Sequence, residues 1–376
     1  MSELKVKKPS KIDELKAMSP KDRNRAIGDL IMNNAMFIII AIAVVGIAIA
    51  EPSFLSVPSI VNIISLTAAK LPIALGVGGC IILAGTDISA GRQVGLAACI
   101  AAGLQLTTNK LFPGLAVMPW YVALLAVMAV GAVVGFVNGF CMAKFKLHPF
   151  IVTLSTQLIV YGCILLFLKL GTNAGQTLSG MSQTYQDLIK GTLFRVGNTA
   201  VPNYVLYSAI ITVIVWVIWN KTTFGKNMYA VGSNEEAANV SGVNVTKTII
   251  LVFVMAGVLY AITGFMDASR ISSVNATTGL NYESDAIAAC VIGGISFVGG
   301  IGKVSGAIIG VLLLQVIFTG LTYLSVDQNL LFIVKGVIIL VACAIDMRKY
   351  LVRKKSWKSK PLKKNLRAVS GGCTKM

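Results

Sequence analysis

Long apolar segments recur along this chain, and they dictate what it can fold into. A helix that crosses the hydrocarbon core of a bilayer needs about 20 mostly apolar residues. Ten segments approach or reach that length: about 33–50, 60–84, 90–107, 120–143, 149–170, 204–219, 248–267, 285–298, 304–324 and 329–346. With no water nearby, each backbone N–H and C=O must find a partner within the protein, which favours helices. The predicted fold class is all-α, a polytopic integral membrane helix bundle of about ten spans. The second segment is broken by Lys70-Leu71-Pro72 and the eighth is short. Eight spans plus re-entrant segments is therefore the alternative count.

Composition agrees with a membrane chain. Charged residues make up 13% and the mean hydropathy is +0.79, against about 25% charged residues in soluble domains. The charge is concentrated in two tails. Residues 1–32 hold eight Lys/Arg and five Asp/Glu, and residues 347–376 hold eleven Lys/Arg and no acid. Basic flanks stay in the cytoplasm, so topology accounts for them and no nucleic-acid partner is expected. The predicted organisation is a cytoplasmic N-terminal segment over 1–32, a transmembrane domain over 33–346 and a basic cytoplasmic tail over 347–376. The tail can also touch anionic lipid head groups of the bilayer. Both termini fall inside, as do the loops 144–148 and 220–247 with their lysines. Loop 171–203, with only Lys190 and Arg195, falls outside. From the polar first 32 residues no cleavable signal peptide is expected, and the first apolar run is expected to remain as an anchor.

Little in the sequence suggests enzyme chemistry. The seven cysteines form no close pair and the only histidine is His148, so no disulfide framework, metal cluster or catalytic triad is expected. Gly299-Gly300-Ile301-Gly302-Lys303 looks like a phosphate loop. Val304 follows the lysine and Phe297 stands where the first glycine is required, so the pattern fails. The segment reads as a tight turn, and no cofactor is expected in this chain. His148-Pro149 reads as the start of the fifth span.

Gly131, Gly135 and Gly139 stand at the four-residue spacing that lets helix backbones approach in a membrane. Close packing is the plain reading, and a substrate path between thin helices is the other. Asp87 with Ser89 and Asp267 with Ser269 end the second and seventh segments, which run in opposite directions in this topology. An inverted repeat would look like that.

The segment Gly232-Ser233-Asn234-Glu235-Glu236-Ala237-Ala238-Asn239-Val240-Ser241-Gly242-Val243-Asn244 reads as a short helix over about 233–242. Ser233 and Glu236 have capping-box spacing, Glu235 and Glu236 suit the positive helix start, and Gly242 suits the end. So short a helix needs a partner surface. It is either an ordinary loop helix or a docking element whose small residues Ala237, Ala238 and Ser241 allow close seating.

Ionisable residues within membrane segments are costly and are functional candidates by default. Here they are Asp87, Arg92, Asp267, Arg270, Glu283, Asp285 and Lys335. Asp87 and Asp285 can equally be helix caps, and Arg270 can pair with Glu283 or Asp267. Asn138, Gln157 and Asn281 could line a weakly polar path.

Three motifs in order resemble the ribose/galactose class of ATP-binding-cassette permeases, over about residues 35–350. They are the short helix with its flanks Lys221-Thr222-Thr223-Phe224-Gly225-Lys226-Asn227 and Val243-Asn244-Val245, the string Gly85-Thr86-Asp87-Ile88-Ser89-Ala90-Gly91-Arg92-Gln93-Val94-Gly95, and Tyr282-Glu283-Ser284-Asp285-Ala286-Ile287-Ala288-Ala289-Cys290-Val291-Ile292-Gly293-Gly294. Ser284 replaces the family's usual Leu. The second string is most similar to that of the galactoside importers. The resemblance implies a permease subunit, not an enzyme, in the bacterial inner membrane. It also implies pairing as a homodimer or with a second permease, a cytoplasmic ATPase that binds the ATP and magnesium, and an extracytoplasmic sugar-binding protein. Asn234, Glu235, Glu236, Ala237, Ala238, Ser241 and Gly242 would form the coupling helix. Asp87, Ser89, Asn138, Gln157, Asn281, Glu283 and Asp285 are the expected pathway residues. The expected cargo is galactose, methyl galactoside or glucose, with ribose, xylose or a nucleoside as alternatives. An ion-coupled secondary transporter is the remote alternative, since most acids fall at segment ends.

Overall fold

The computed structural model describes residues 35–358, apart from 109, 113, 115 and 172–174. The N-terminal segment 1–32 and Cys373 lie outside the described residues. The described chain is helical almost throughout. Its helices are α1 (Ala35–Ala50), α2 (Val57–Ile82), α3 (Ala90–Gln105), α4 (Trp120–Phe145), α5 (Pro149–Leu168), α6 (Gln183–Lys190), α7 (Tyr204–Lys221), α8 (Thr223–Ser233), α9 (Glu235–Val240), α10 (Val245–Ile271), α11 (Tyr282–Ile292), α12 (Val304–Tyr323) and α13 (Gln328–Lys358). Four short strands complete it: β1 (Leu178–Ser179), β2 (Thr192–Val196), β3 (Thr199–Pro202) and β4 (Ser273–Val274). Strand β1 pairs with β4 and β2 with β3, both antiparallel.

Among the described residues, six helices are long and apolar enough to cross a membrane: α2, α4, α5, α7, α10 and α12. They coincide with predicted segments to within a few residues. Helices α2 and α10 form the centre, with 72% and 61% of their apolar windows buried, against 22% for α4, 33% for α5 and 28% for α7. The outer helices turn Leu158, Ile159, Leu166, Val213 and Ile214 outward, as lipid-facing helices must. The tenth segment is the apolar part of α13, which continues as one helix into the basic tail as far as Lys358.

Helix α4 lies along α10. A Cβ on Gly131, Gly135 or Gly139 would collide with the α10 backbone at Gly257, Phe253 or Ile250. The glycine stripe is thus a helix–helix contact, the plain reading of its spacing.

Pro72 does not break α2. Proline removes the N–H that would bond the carbonyl four residues back, at Ala68. Ser208 Oγ of α7 supplies the missing donor, at 2.7 Å from Ala68 O. The orphan group is satisfied from a neighbouring helix, so the helix runs unbroken for 26 residues.

Two segments cannot span as helices. Helix α11 has 11 residues, about 17 Å at 1.5 Å per residue, against about 30 Å of hydrocarbon. The eighth predicted segment, 285–298, is therefore shorter as a helix and starts earlier, and the chain continues through turns to Lys303. Helix α3 has 16 residues. Each follows a long central helix and an irregular stretch, 83–89 before α3 and 275–281 before α11.

The two long helices are antiparallel. Gly76 of α2 meets Tyr260, Gly79 meets Val252, and Leu83 packs with Val245 and Ile249. The same succession therefore occurs twice in opposite directions, as an inverted repeat requires. It does not equate Asp87 with Asp267: Asp87 lies in the irregular stretch, whereas Asp267 lies inside α10, because that helix continues to Ile271.

The backbone bond between Gly300 N and Ile82 O, 2.8 Å, ties the turn after α11 to the end of α2. Gly232 of α8 packs into the same junction. At the opposite end, α6 lies on α10, with the Tyr185 and Phe265 rings 4.9 Å apart and the Tyr185 hydroxyl donating to Phe265 O.

Replacing Ser208 with alanine leaves the Ala68 carbonyl unpaired in an apolar interior. We expect a loss of about 1–2 kcal/mol, read as a lower Tm in detergent. An unchanged Tm would mean that the carbonyl needs no donor from α7.

Candidate functional site

Two regions gather the residues singled out in the sequence. The first is interior. Gly91 and Gly95, in the first turns of α3, admit Gly279 and Thr278 so closely that a Cβ on either α3 glycine would strike the facing backbone. The irregular stretch after α10 thus enters the bundle and meets the start of α3. Arg92 Nη1 donates to Ala276 O at 3.0 Å and holds the stretch there. Glu283, 7% exposed, places its carboxylate beside Gly91. Asn281 opens α11 in the left-handed region, φ +63°, and its side chain caps nothing.

Beside this crossing lies a buried polar network. Asp87 Oδ1 accepts from Ser89 N at 3.0 Å and from Ser89 Oγ at 2.6 Å. Ser89 Oγ in turn accepts from Gln93 Nε2 at 2.9 Å and Asn138 Nδ2 at 3.2 Å. Thr156 Oγ1 donates to Asn138 Oδ1 at 2.6 Å. All five are buried. Asp87 thus makes a local turn around Ser89 instead of capping α3. Of the expected pathway residues, Asp87, Ser89 and Asn138 meet here. Gln157 is half-buried on α5 and joins none of these bonds. Gln93 and Thr156 were not foreseen, although each is a polar side chain in an apolar helix.

Asp285 does not cap α11 either. It pairs with Lys335 of α13 at 2.8 Å. Arg270 pairs with Asp267 at 2.6 Å, one of the two partners the sequence allowed it, and not with Glu283.

The second region is the short helix. Asn234, not Ser233, is its N-cap: Asn234 Oδ1 accepts from Ala237 N at 2.8 Å, while Ser233 ends α8. At the other end Gly242 has φ +82°. Its N–H bonds Asn239 O at 3.0 Å, and Val243 N bonds Ala238 O at 3.1 Å, a left-handed helix stop that favours glycine. Ala238 is buried with Val231 and Val245, so it anchors α9 to its own chain. Glu236, Ala237 and Ser241 are exposed, and Ser241 Oγ donates to Ala237 O at 2.8 Å. Val240 is 90% exposed. Residues two apart on a helix point to opposite sides; with Ala238 inward, Val240 must project outward, which the sequence reading missed. Glu235 is paired with Lys146 from the turn between α4 and α5. Lys146, Asn234, Glu235, Glu236 and Gly242 help line an open depression of about 890 Å³.

A sequence profile of a transport-system family, described as the branched-chain amino acid transport system permease component, matches residues 59–343. The chain belongs to this permease family. The permease is similar to the galactose/methyl galactoside import permease of Haemophilus influenzae, with 44% identity over 341 residues, 90% of this chain and 100% of the relative. It is 42% identical to the Escherichia coli protein of the same name, over 85% of this chain and 95% of the relative. The ribose import permease of Haemophilus influenzae is 33% identical over 90% of this chain and 99% of the relative. No solved structure matches the permease.

Asp87→Ala removes the acceptor for both Ser89 donors and unseats Gln93 and Asn138. We expect about 1–3 kcal/mol of destabilisation, seen as a lower Tm in detergent. Asp87→Asn keeps an acceptor oxygen and should cost clearly less. Equal losses would show that the charge, not the acceptor, matters.

Proposed function

We infer that this permease is the membrane-spanning subunit of an ATP-binding-cassette importer that carries galactose or methyl galactoside across the bacterial inner membrane. The observation that carries the reading is the identity of 44% and 42% to galactoside import permeases over nearly their whole length. The identity of 33% to a ribose permease makes ribose the second reading. In this reading both termini are cytoplasmic, the ATP and magnesium are held by a separate ATPase, a binding protein delivers the sugar from outside, and two permease subunits pair.

The geometry of α9 supports an ATPase contact. A capped helix of six residues, with one apolar residue turned inward and another outward, has a face of its own left to bury. Glu236, Ala237, Val240 and Ser241 form that coupling face. The interior crossing of the 83–89 and 275–281 stretches supports a pathway beside Asp87, Ser89, Asn138, Asn281 and Glu283. Broken helices inside a membrane are tolerated where they are buried in protein or line a cavity.

Sealed vesicles holding the permease with its ATPase and binding protein should take up galactose only when ATP is supplied, and should continue after ion gradients are collapsed. Uptake by the permease alone that dies with the gradient would make it a secondary transporter. Val240→Asp and Glu236→Lys lie outside the packed core and should insert normally. Each should weaken co-purification of the ATPase by about tenfold or more and abolish ATP-driven uptake. Normal uptake by both would sink the coupling role of α9.

A further inference from the structure

Lys70 stands at the middle of α2, 13 residues from Val57 and 12 from Ile82. It is the only charged residue in the six long helices that lies more than four residues from a helix end. A cation so placed calls for a partner. The nearby carboxylates pair with other cations, Asp285 with Lys335 at 2.8 Å and Asp267 with Arg270 at 2.6 Å, and the second oxygen of Asp267 is buried without a hydrogen-bond partner. Among the described residues, Lys70 forms no ion pair. Its ammonium rests instead on the face of Tyr282, 2.6 Å from the ring centre.

Tyr282 is the first residue of α11, where the entering stretch becomes helix again. Lys70, Tyr282, Asp285 and Gln315 of α12 border a gap of about 10 Å³, whose remaining walls include Ile73 and Val311. A space of that kind needs about 10–15 Å³ to hold a single water, so this point is closed to a sugar. The four polar groups are nonetheless those a monosaccharide requires. An aromatic face takes the C–H side of the ring, an ammonium donates to hydroxyl oxygens, and a carboxylate and an amide accept hydroxyl protons. Lys70 covers the aromatic face that a sugar would need.

We propose that Lys70 and Tyr282 form the sugar-contacting constriction of the permease, with the Lys70 ammonium occupying the stacking face of Tyr282 when the path is closed and yielding it to a passing monosaccharide. Asp285 and Gln315 take its hydroxyls. The inference rests on the importer reading and deepens it. A purely structural lysine would be locked to a carboxylate. A cation that rests on a ring face and is locked into no ion pair can exchange that face for hydroxyl oxygens, which accept its hydrogens.

The test uses the full permease with its ATPase and binding protein in sealed vesicles, with galactose as the probe and uptake counted per ATP hydrolysed. Tyr282→Leu and Lys70→Met should each insert normally and lower uptake per ATP by about tenfold or more. Tyr282→Phe keeps the stacking face and should retain most of it, and Lys70→Arg should rescue in part. Normal uptake per ATP by the Leu and Met variants overturns the proposal. So does a Phe variant as poor as Leu, which would assign the effect to the phenol. Uptake and hydrolysis falling together in every variant would make the pair structural and also overturn it. Failure of the unaltered permease to move galactose with ATP would instead overturn the importer reading.

Discussion

The constraint on which the rest of the structure depends is that a membrane interior offers no water to backbone polar groups. Continuous helices meet it alone, and α4, α5, α7 and α12 do so. The difficult elements are the stretches 83–89 and 275–281, which are not helical and yet lie within the bundle. They persist because they are buried against protein. Gly91, Gly95 and Gly279 bring the second stretch onto α3, and Arg92 bonds the Ala276 carbonyl at 3.0 Å. The first is held by the turn of Asp87 around Ser89 and by Thr153 Oγ1, which donates to Thr86 O at 3.3 Å. Side chains here replace the hydrogen bonds that a helix would have made for itself.

The same principle decides which sequence signals were legible. Apolar length marks a span because only length has to match the bilayer, and five of the six spanning helices need nothing more. Pro72 looked like a break because its remedy, Ser208, lies 140 residues in sequence from the Ala68 carbonyl that it satisfies. The eighth segment looked like a span because its apolar run continues past α11. In the structure that run is divided into a short helix and a turn with Gly294, Gly299 and Gly300 at positive φ. The choice of Asn234 over Ser233 as cap was beyond local reading. Both residues can cap, and α8 ends where Gly232 fits between Ile82 and Gly300.

The polar residues show a similar division. Asp87, Ser89 and Asn138 were each conspicuous as polar groups in apolar surroundings, and they converge on one hydroxyl. Their roles were less legible than their presence. Asp87 and Asp285 both precede or begin a helix, where a cap is the economical reading. One instead organises a buried turn and the other holds α13 through Lys335. Lys70 was visible only as an interruption of an apolar run. Its meaning depends on Tyr282, more than 200 positions away, and on the pairing of Asp285 with Lys335 and of Asp267 with Arg270.

The two regions of the permease are mechanically contiguous. One residue, Asn234, separates α9 from α8. Gly232, near the end of α8, is packed against the Ile82 carbonyl and the Gly300 amide, and those two groups are bonded to each other. Ile82 ends α2, and Gly300 lies in the turn that follows α11. A displacement of α9 therefore reaches both broken-helix arms through one junction packed largely through backbone atoms. Lys70 belongs to the first of those arms and Tyr282 to the second. A relative shift of α2 and α11 by the few ångströms that part a cation from a ring is what a push at this junction would have to produce. Packed helices that meet through glycine and backbone transmit such a shift as nearly rigid bodies.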